Sequence, residues 1–303
     1  MFYIMRLLIT RSYRFICKKI KRKEGYFPKQ HEHWMIADKT VQSFVFILLA
    51  FLMVTIGYFN IDVLYTTEYE VRIDKPCRDK ELTAVLIADV HAGSGTWEYT
   101  YDDLEKEINK IDPDILLIAG DVFDETTSQR DIELLRRTLE AVRSPRYGSF
   151  FVYGNHDDHT NDWAAEQMKA FGVQTLENEM TVLDNGVQLI GRTDQRYSKF
   201  NVLTLLKQVN PDQTCPVLML AHRPRDFKKM ADAGCDLAVA GHTHGFNIPQ
   251  FLGSPMFEDM YYGRKKIGKM TAITTSGVSA WGFHYKFPAK SEIVTIHIHF
   301  QSN

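Results

Sequence analysis

Apolar and polar positions follow two regimes along the chain. Between residues 40 and 61 no side chain is charged, and the run FVFILLAFLMVTIGYF (44–59) is almost wholly apolar. Roughly 20 residues rising about 1.5 Å each cross a hydrocarbon core about 30 Å thick. A helix of that length in a soluble core keeps a polar face, which this run lacks. The pattern predicts one transmembrane helix over 41–61. It separates a basic N-terminal segment (1–40) from a linker (62–80) and a larger domain (81–303). In that domain short apolar and β-branched runs end abruptly in polar residues, at 83–88, 115–119, 150–153, 217–220, 237–240 and 271–274. Such runs read as buried strands. Stretches of helical period lie at 98–111, 128–142, 162–171 and 200–209. The alternation implies an α/β domain with helices covering its sheets. Runs at 187–190 and 293–298 add strands expected in antiparallel positions.

Charge is unevenly spread. Residues 1–40 hold ten of the 36 Lys and Arg but only three of the 38 Asp and Glu, leaving a balance of −9 beyond them. An acidic domain has no general attraction for phosphate backbones, so no nucleic acid partner is expected. The cluster KKIKRK (18–23) precedes the apolar helix. The positive-inside bias then keeps the N-terminus cytoplasmic and sets the larger domain outside the cytoplasm, on a cell membrane. The long basic lead and the missing small-residue cleavage signature count against a cleaved signal. Residues 1–16 mix apolar side chains with arginines. They read equally as a segment lying on an anionic membrane surface or as a disordered basic tail. The four cysteines lack paired spacing, and Cys215 and Cys235 read as small core residues.

The polar residues just past the strand ends carry the chemistry. They read Asp89-Val90-His91, Gly120-Asp121-Val122-Phe123-Asp124, Gly154-Asn155-His156-Asp157, Ala221-His222-Arg223-Pro224 and Gly241-His242-Thr243-His244. Ligands of open α/β sheets bind outside the carboxyl ends of strands. Asp89 and His91, like His242 and His244, lie two apart, so an extended segment turns both side chains to one side. An Asn amide oxygen binds a cation without adding charge, and neutral imidazole is a common metal ligand. Taken singly, each motif is equally explained by turn chemistry. Five in succession are not.

The series DVH, GDVFD, GNHD, HRP and GHTH resembles the calcineurin-like metallophosphoesterases over residues 80–298, and within them a membrane-associated bacterial branch. The resemblance implies a four-layer α/β/β/α sandwich of two mixed sheets, here preceded by the transmembrane helix. It implies two divalent metal ions, one held by Asp89, His91, Asp121 and His244, the other by Asp121, Asn155, His222 and His242. Mixed N and O donors suit manganese, iron or zinc (Mn, Fe or Zn) alike. His156 would be the general acid and Asp124 the carboxylate that orients it; an alternative for Asp124 is a helix cap. The implied activity is hydrolysis of phosphate esters or pyrophosphates. The alternative is a non-catalytic, membrane-tethered binding scaffold.

Among the remaining residues, His297 and His299 alternate with Ile296 and Ile298 as in a half-exposed strand. His31 and His33 have no partner cluster, and His159 reads as a surface-loop residue. Trp281, Phe283 and His284 either line a substrate mouth or pack as an ordinary loop. The apolar segment 245–270, beside a membrane tether, fits a lipid-linked substrate, with Arg264, Lys265 and Lys266 to hold anionic groups. The branch includes enzymes that cleave the pyrophosphate of UDP-diacylglucosamine. Phe246-Asn247 and Tyr285-Lys286 depart from its common pattern, and an outward domain fits poorly with a cytoplasmic nucleotide sugar.

Overall fold

The computed structural model describes residues 39–93, 96–143, 145–157, 162–194, 201–245 and 258–301. The basic N-terminal segment with His31 and His33, His159, and residues 246–257 of the apolar segment lie outside these. The chain divides into two units, Met1–Met53 and Val54–Asn303. Helix α1 (Lys39–Asn60) runs across that division. Its residues Ser43–Asn60 are long and apolar enough to cross a membrane, and side chains from Phe44 to Phe59 are largely exposed.

The second unit contains two six-stranded sheets. The first runs β1 (Leu64–Pro76), β12 (Ser291–Gln301), β2 (Glu81–Ile87), β3 (Ile115–Ile118), β4 (Ser149–Phe151), β5 (Gln174–Thr175). The second runs β10 (Gly263–Ile267), β11 (Met270–Thr274), β9 (Leu237–Ala240), β8 (Val217–Ala221), β7 (Gln188–Arg192), β6 (Glu179–Val182). Both are mixed. β2 to β5 are parallel, and β12 is antiparallel to β2 but parallel to β1. β7, β8, β9 and β11 are parallel, with β6 and β10 antiparallel at the edges. The antiparallel expectation for the strands near 187 and 293 therefore holds for one neighbour of each and fails for the other.

Period-two alternation decides the layers. In β2, Leu82, Ala84 and Leu86 enter the core between the sheets, while Val85 and Ile87 face the other way. In β8, Leu218 and Leu220 enter the shared core, and Val217 and Met219 do not. The outer face of the first sheet is covered by α2 (Glu98–Ile111), α3 (Gln129–Ala141) and α4 (Trp163–Ala170), through Leu104, Ile108, Leu135, Leu139 and Met168. The outer face of the second is covered by α5 (Val202–Val209) and α6 (Phe227–Asp232), through Leu205, Leu206 and Phe227. This is the α/β/β/α order. α3 starts on a capping box: Ser128 Oγ accepts from Asp131 N, and the Asp131 carboxylate accepts from Ser128 N.

Residues 62–80, read as a linker, instead carry β1, a 13-residue strand at the edge of the first sheet. Only Val71 and Ile73 of its apolar side chains are buried, so its alternation carried little apolar signal. Cys235 is a buried core residue, whereas Cys215 is half-buried beside Asp212.

Candidate metal centre

Parallel strands point their carboxyl ends to one side, and the polar motifs follow those ends directly: Asp89 and His91 after β2, Asp121 after β3, Asn155 after β4, His222 after β8, His242 and His244 after β9. Five of these seven have left-handed backbones, with φ of 53° at Asp89, 45° at His91, 51° at Asp121, 73° at His242 and 50° at His244. Non-glycine residues held in this region cost on the order of 1–3 kcal/mol each and persist where the surroundings over-determine them. The strands turn abruptly here, so the side chains fold inward over the sheet edge.

Hydrogen bonds hold these turns. Asp89 N donates to Gly120 O (3.0 Å), His91 N to Asp121 O (3.1 Å), and Gly241 N to His222 O (2.9 Å). The buried Asp157 carboxylate accepts from four backbone amides: Asp121 N (2.7 Å), Val122 N (2.9 Å), Phe123 N (3.0 Å) and Gly154 N (2.7 Å). It ties the end of β3 to the end of β4. Gly154 is required by close approach, since a Cβ there would lie 2.2 Å from Asp121 Oδ1. The two sheets meet where His242 N donates to both oxygens of Asp89, at 3.1 and 2.9 Å.

The donor atoms gather into two groups, Asp89 with His91 and His244, and Asp121 with His222 and His242; within each they lie within 4.8 Å of one another. Asn155 Oδ1 joins the second group, 3.2 Å from His222 Nε2. Asp121 stands between them, its Oδ2 3.8 Å from His91 Nε2 and 3.1 Å from His222 Nε2. All seven expected ligand residues are thus brought together.

The imidazoles are oriented from behind. His222 Nδ1 lies 2.7 Å from Ala119 O and His244 Nδ1 lies 3.2 Å from Ser279 O. A proton on Nδ1 donated to each carbonyl leaves Nε2 as the lone-pair donor. His91 is fully buried; its Nδ1 faces the Asp124 carboxylate at 3.4 Å, and its Nε2 has no hydrogen-bond partner among the described residues. A buried polar group left so costs about 1–3 kcal/mol, which a bound cation would remove. Burial, reinforced by His222 and Arg223, pushes the His242 pKa down to about 2. Burial likewise pushes His244 down to about 4, against the pull of Asp89. Both rings are neutral near pH 7 and offer lone pairs. For Asp121 and His222 burial opposes both charges, and their mutual attraction wins: the carboxyl is held down and the imidazole raised. Buried carboxylates facing a common space with the neutral rings of His242 and His244 suit a cation, which would take the place of the proton on His222.

The expected pairing of Asp124 with His156 is corrected. Asp124 Oδ2 lies 3.4 Å from His91 Nδ1, and Oδ1 accepts from Thr126 N (2.8 Å) and Thr126 Oγ1 (2.6 Å). The carboxylate at His156 is Glu125, with Oε2 3.3 Å from Nδ1. Trp281 completes that corner, its ring 4.9 Å from the His156 ring and its Nε1 3.3 Å from Glu125 Oε1. Asp124 follows β3 closely enough for its side chain to reach across to the end of β2, which the spacing from Asp121 does not reveal.

Sequence reasoning also assigned no role to Arg223. Its guanidinium donates to His242 Nε2 (2.8 Å), Asn155 Oδ1 (3.0 Å) and Asp194 Oδ2 (2.6 Å). Glu258 Oε1 stands 3.6 Å from Arg223 Nη1 and 3.7 Å from His242 Nε2. Arg223 was visible in the HRP motif, but Asp194 and Glu258 sit in stretches without any pattern. Arg264 and Lys266, expected to hold substrate anions, lie on β10 and donate to the backbone carbonyls of Glu70 and Lys269. His299 of the half-exposed strand β12 lies between Glu70 and Glu81.

Residues 82–246 match the family model described as calcineurin-like phosphoesterase. Similar proteins include an uncharacterized metallophosphoesterase of Helicobacter pylori, 29% identical over 269 residues that cover 84% of this chain and 70% of that one. A transmembrane protein with metallophosphoesterase domain of Danio rerio is 28% identical, over 76% of this chain and 56% of its own length. The phosphodiesterase YaeI of Escherichia coli is 29% identical, over 55% of this chain and 64% of its own. The chain belongs to the calcineurin-like phosphoesterase family, whose chemistry rests on two divalent metal ions.

Proposed function

We propose that this chain is a membrane-anchored hydrolase of phosphate ester or pyrophosphate bonds. The observation that carries the reading is the pair of donor groups with the Asp121 carboxylate standing between them. Asp89, His91, Asp121 and His244 would hold one divalent ion, and Asp121, Asn155, His222 and His242 the other. When bound, such a pair polarises the phosphate and activates water. The remaining steps belong to the chain. With Nδ1–H of His156 donated to Glu125, the ring in its doubly protonated form would give the Nε2 proton to the departing oxygen and remain as the neutral Nδ1–H imidazole. Asp124 fixes His91, and Arg223 offers positive charge beside Asn155 for a phosphate oxygen. The apolar run Ser43–Asn60 supports a single membrane span. The basic cluster 18–23 before it supports setting the domain 81–303 and β1 on the outer side, and the apolar segment 245–270 supports a lipid-linked substrate.

The test is hydrolysis of an aryl phosphate and an aryl phosphodiester by the full chain loaded with manganese. Asp121→Asn and His242→Ala should abolish turnover, and His156→Ala should reduce kcat by roughly 10²–10⁴-fold. Unchanged turnover in the first two variants would refute the site. Tight binding of two metal ions without turnover on any phosphoester would favour the binding scaffold. Protease protection of residues 81–303 in intact cells would place the domain on the cytoplasmic side instead.

A further inference from the structure

The last turn of α1 is stitched to the loop that closes the site. Asn60 Nδ2 donates to Lys286 O (3.1 Å) and Ala289 O (2.6 Å), Lys286 N donates to Gly57 O (2.9 Å), and Ser291 Oγ donates to Ile61 O (2.9 Å). The same loop reaches the metal centre. Ser279 O faces His244 Nδ1, Ser279 N donates to Asp89 O, and the Trp281 ring lies against His156.

Between these points the surface is aromatic. Phe283 is 86% exposed, Trp97 52% and Trp281 48%, and Tyr58, Phe59 and Tyr99 are exposed as well. Single exposed apolar residues are ordinary, but these are grouped. The Tyr58 and Trp97 rings lie 5.1 and 5.8 Å from the His284 ring. His284 Nε2 lies 2.8 Å from Asp62 Oδ1, which also accepts from Tyr99 OH at 2.7 Å. Both exposed tryptophans donate their N–H to the protein, Trp97 to His284 Nδ1 and Trp281 to Glu125, each at 3.3 Å. Their polar edges are satisfied while their rings stay open. Amphipathic rings of this kind collect where a bilayer meets water. Here they begin on the final turn of a helix apolar enough to span one.

We infer that Tyr58, Trp97, Tyr99, Trp281 and Phe283, gathered around His284 between the end of α1 and the metal centre, form a seat that rests on lipid headgroups. The seat sets the mouth beside His156 at the level of headgroup phosphates, so the site takes amphiphilic phosphoesters from the membrane that holds the helix. None of the seat residues is Lys or Arg, so zwitterionic headgroups suffice. The surface rests on the reading of α1 as a membrane span, and only its consequence for substrate rests on the phosphoesterase reading.

The experiment uses the full chain in phosphatidylcholine nanodiscs containing a lipid with a photoactivatable diazirine at the headgroup, labelled without added metal. Label is expected on residues 97–99 and 281–283 as well as on 58 and 59. Adding about a fifth of anionic lipid should change the yield by less than about twofold. Phe283→Ser should reduce label on 97–99 several-fold. On the metal-loaded enzyme it should raise KM for a vesicle-borne phosphoester and leave kcat/KM for a soluble aryl phosphate unchanged. Label on α1 with none on 97–99 or 281–283 overturns the seat. Cross-links between two copies at 281–283 by a separate bifunctional reagent, in place of lipid label, show a second copy there and overturn it too. Absence of label on α1 defeats the membrane span itself. Because labelling needs no turnover, failure of the hydrolase reading leaves it intact.

Discussion

At the scale of single residues, the site is a set of side chains held in positions their backbones resist. His242 shows this most strongly, with φ at 73°. Glycine alone adopts such a backbone without steric cost. In EDTA, His242→Gly should therefore be more stable than His242→Ala by about 1 kcal/mol, the reverse of the usual order; thermal unfolding of the two variants measures it. A second prediction follows from the other side of that ring. For Nδ1 to bind a cation, Nε2 must carry the proton, yet it now accepts from Arg223. Glu258, 3.7 Å away, is the carboxylate placed to receive that proton when Arg223 moves aside. Glu258→Gln should weaken binding at the second metal position by roughly 10- to 100-fold, read by calorimetric titration with manganese, while the first position keeps its affinity.

At the scale of elements, the motifs were legible because each pairs one buried strand with one turn. The runs at 83–88, 115–119 and 237–240 end where β2, β3 and β9 end, and their ligands come within a few residues. Contacts between elements left no such trace. Asp124 turns to His91 across the β2–β3 edge, Glu125 takes His156, and Glu258 comes from a segment with no periodic signal. β1 escaped for a related reason. Its polar alternation serves an edge, and part of what holds it is Thr67 Oγ1 donating to the buried Glu292 of β12 at 2.7 Å. Glu292 also accepts from Tyr262 OH, Thr275 Oγ1 and Ser276 N, each at 2.9 Å, so one carboxylate ties β1, β12 and the end of β11. The junction of β3 and β4 offers the sharpest test at this scale. A methyl group on Gly154 has no room beside Asp121, so Gly154→Ala should destabilise the fold by about 1–3 kcal/mol and remove bound metal. Thermal unfolding and metal analysis of the purified variant check both parts.

Taken whole, the protein carries a two-sheet sandwich after a helix apolar enough to cross a membrane, and Lys286 N donates to Gly57 O of that helix's last turn. The Lys286 side chain is fully buried and Nζ donates to Gly277 O at 2.6 Å. Burial pushes its pKa down to about 7, against the pull of Asp89 and Glu292. The unfolded chain binds this proton up to about pH 10.4, whereas the folded one releases it near 7. Folding thus sheds a proton across that window, and stability rises with pH there. In EDTA the unfolding free energy should climb between pH 7 and 10 by up to about 1.4 kcal/mol per unit more than in Lys286→Met. The neighbouring Gly277 would place a Cβ 2.7 Å from that of Asp89, so the same corner supports the first donor group. The central claim is that seven side chains from five strand ends grip two divalent ions around Asp121. The most direct measurement is the metal content of the purified full chain and of Asp121→Ala after equilibration with manganese and removal of free ion. The account predicts two ions per chain in the former and at most one, weakly held, in the latter; two tightly held ions in both would contradict it.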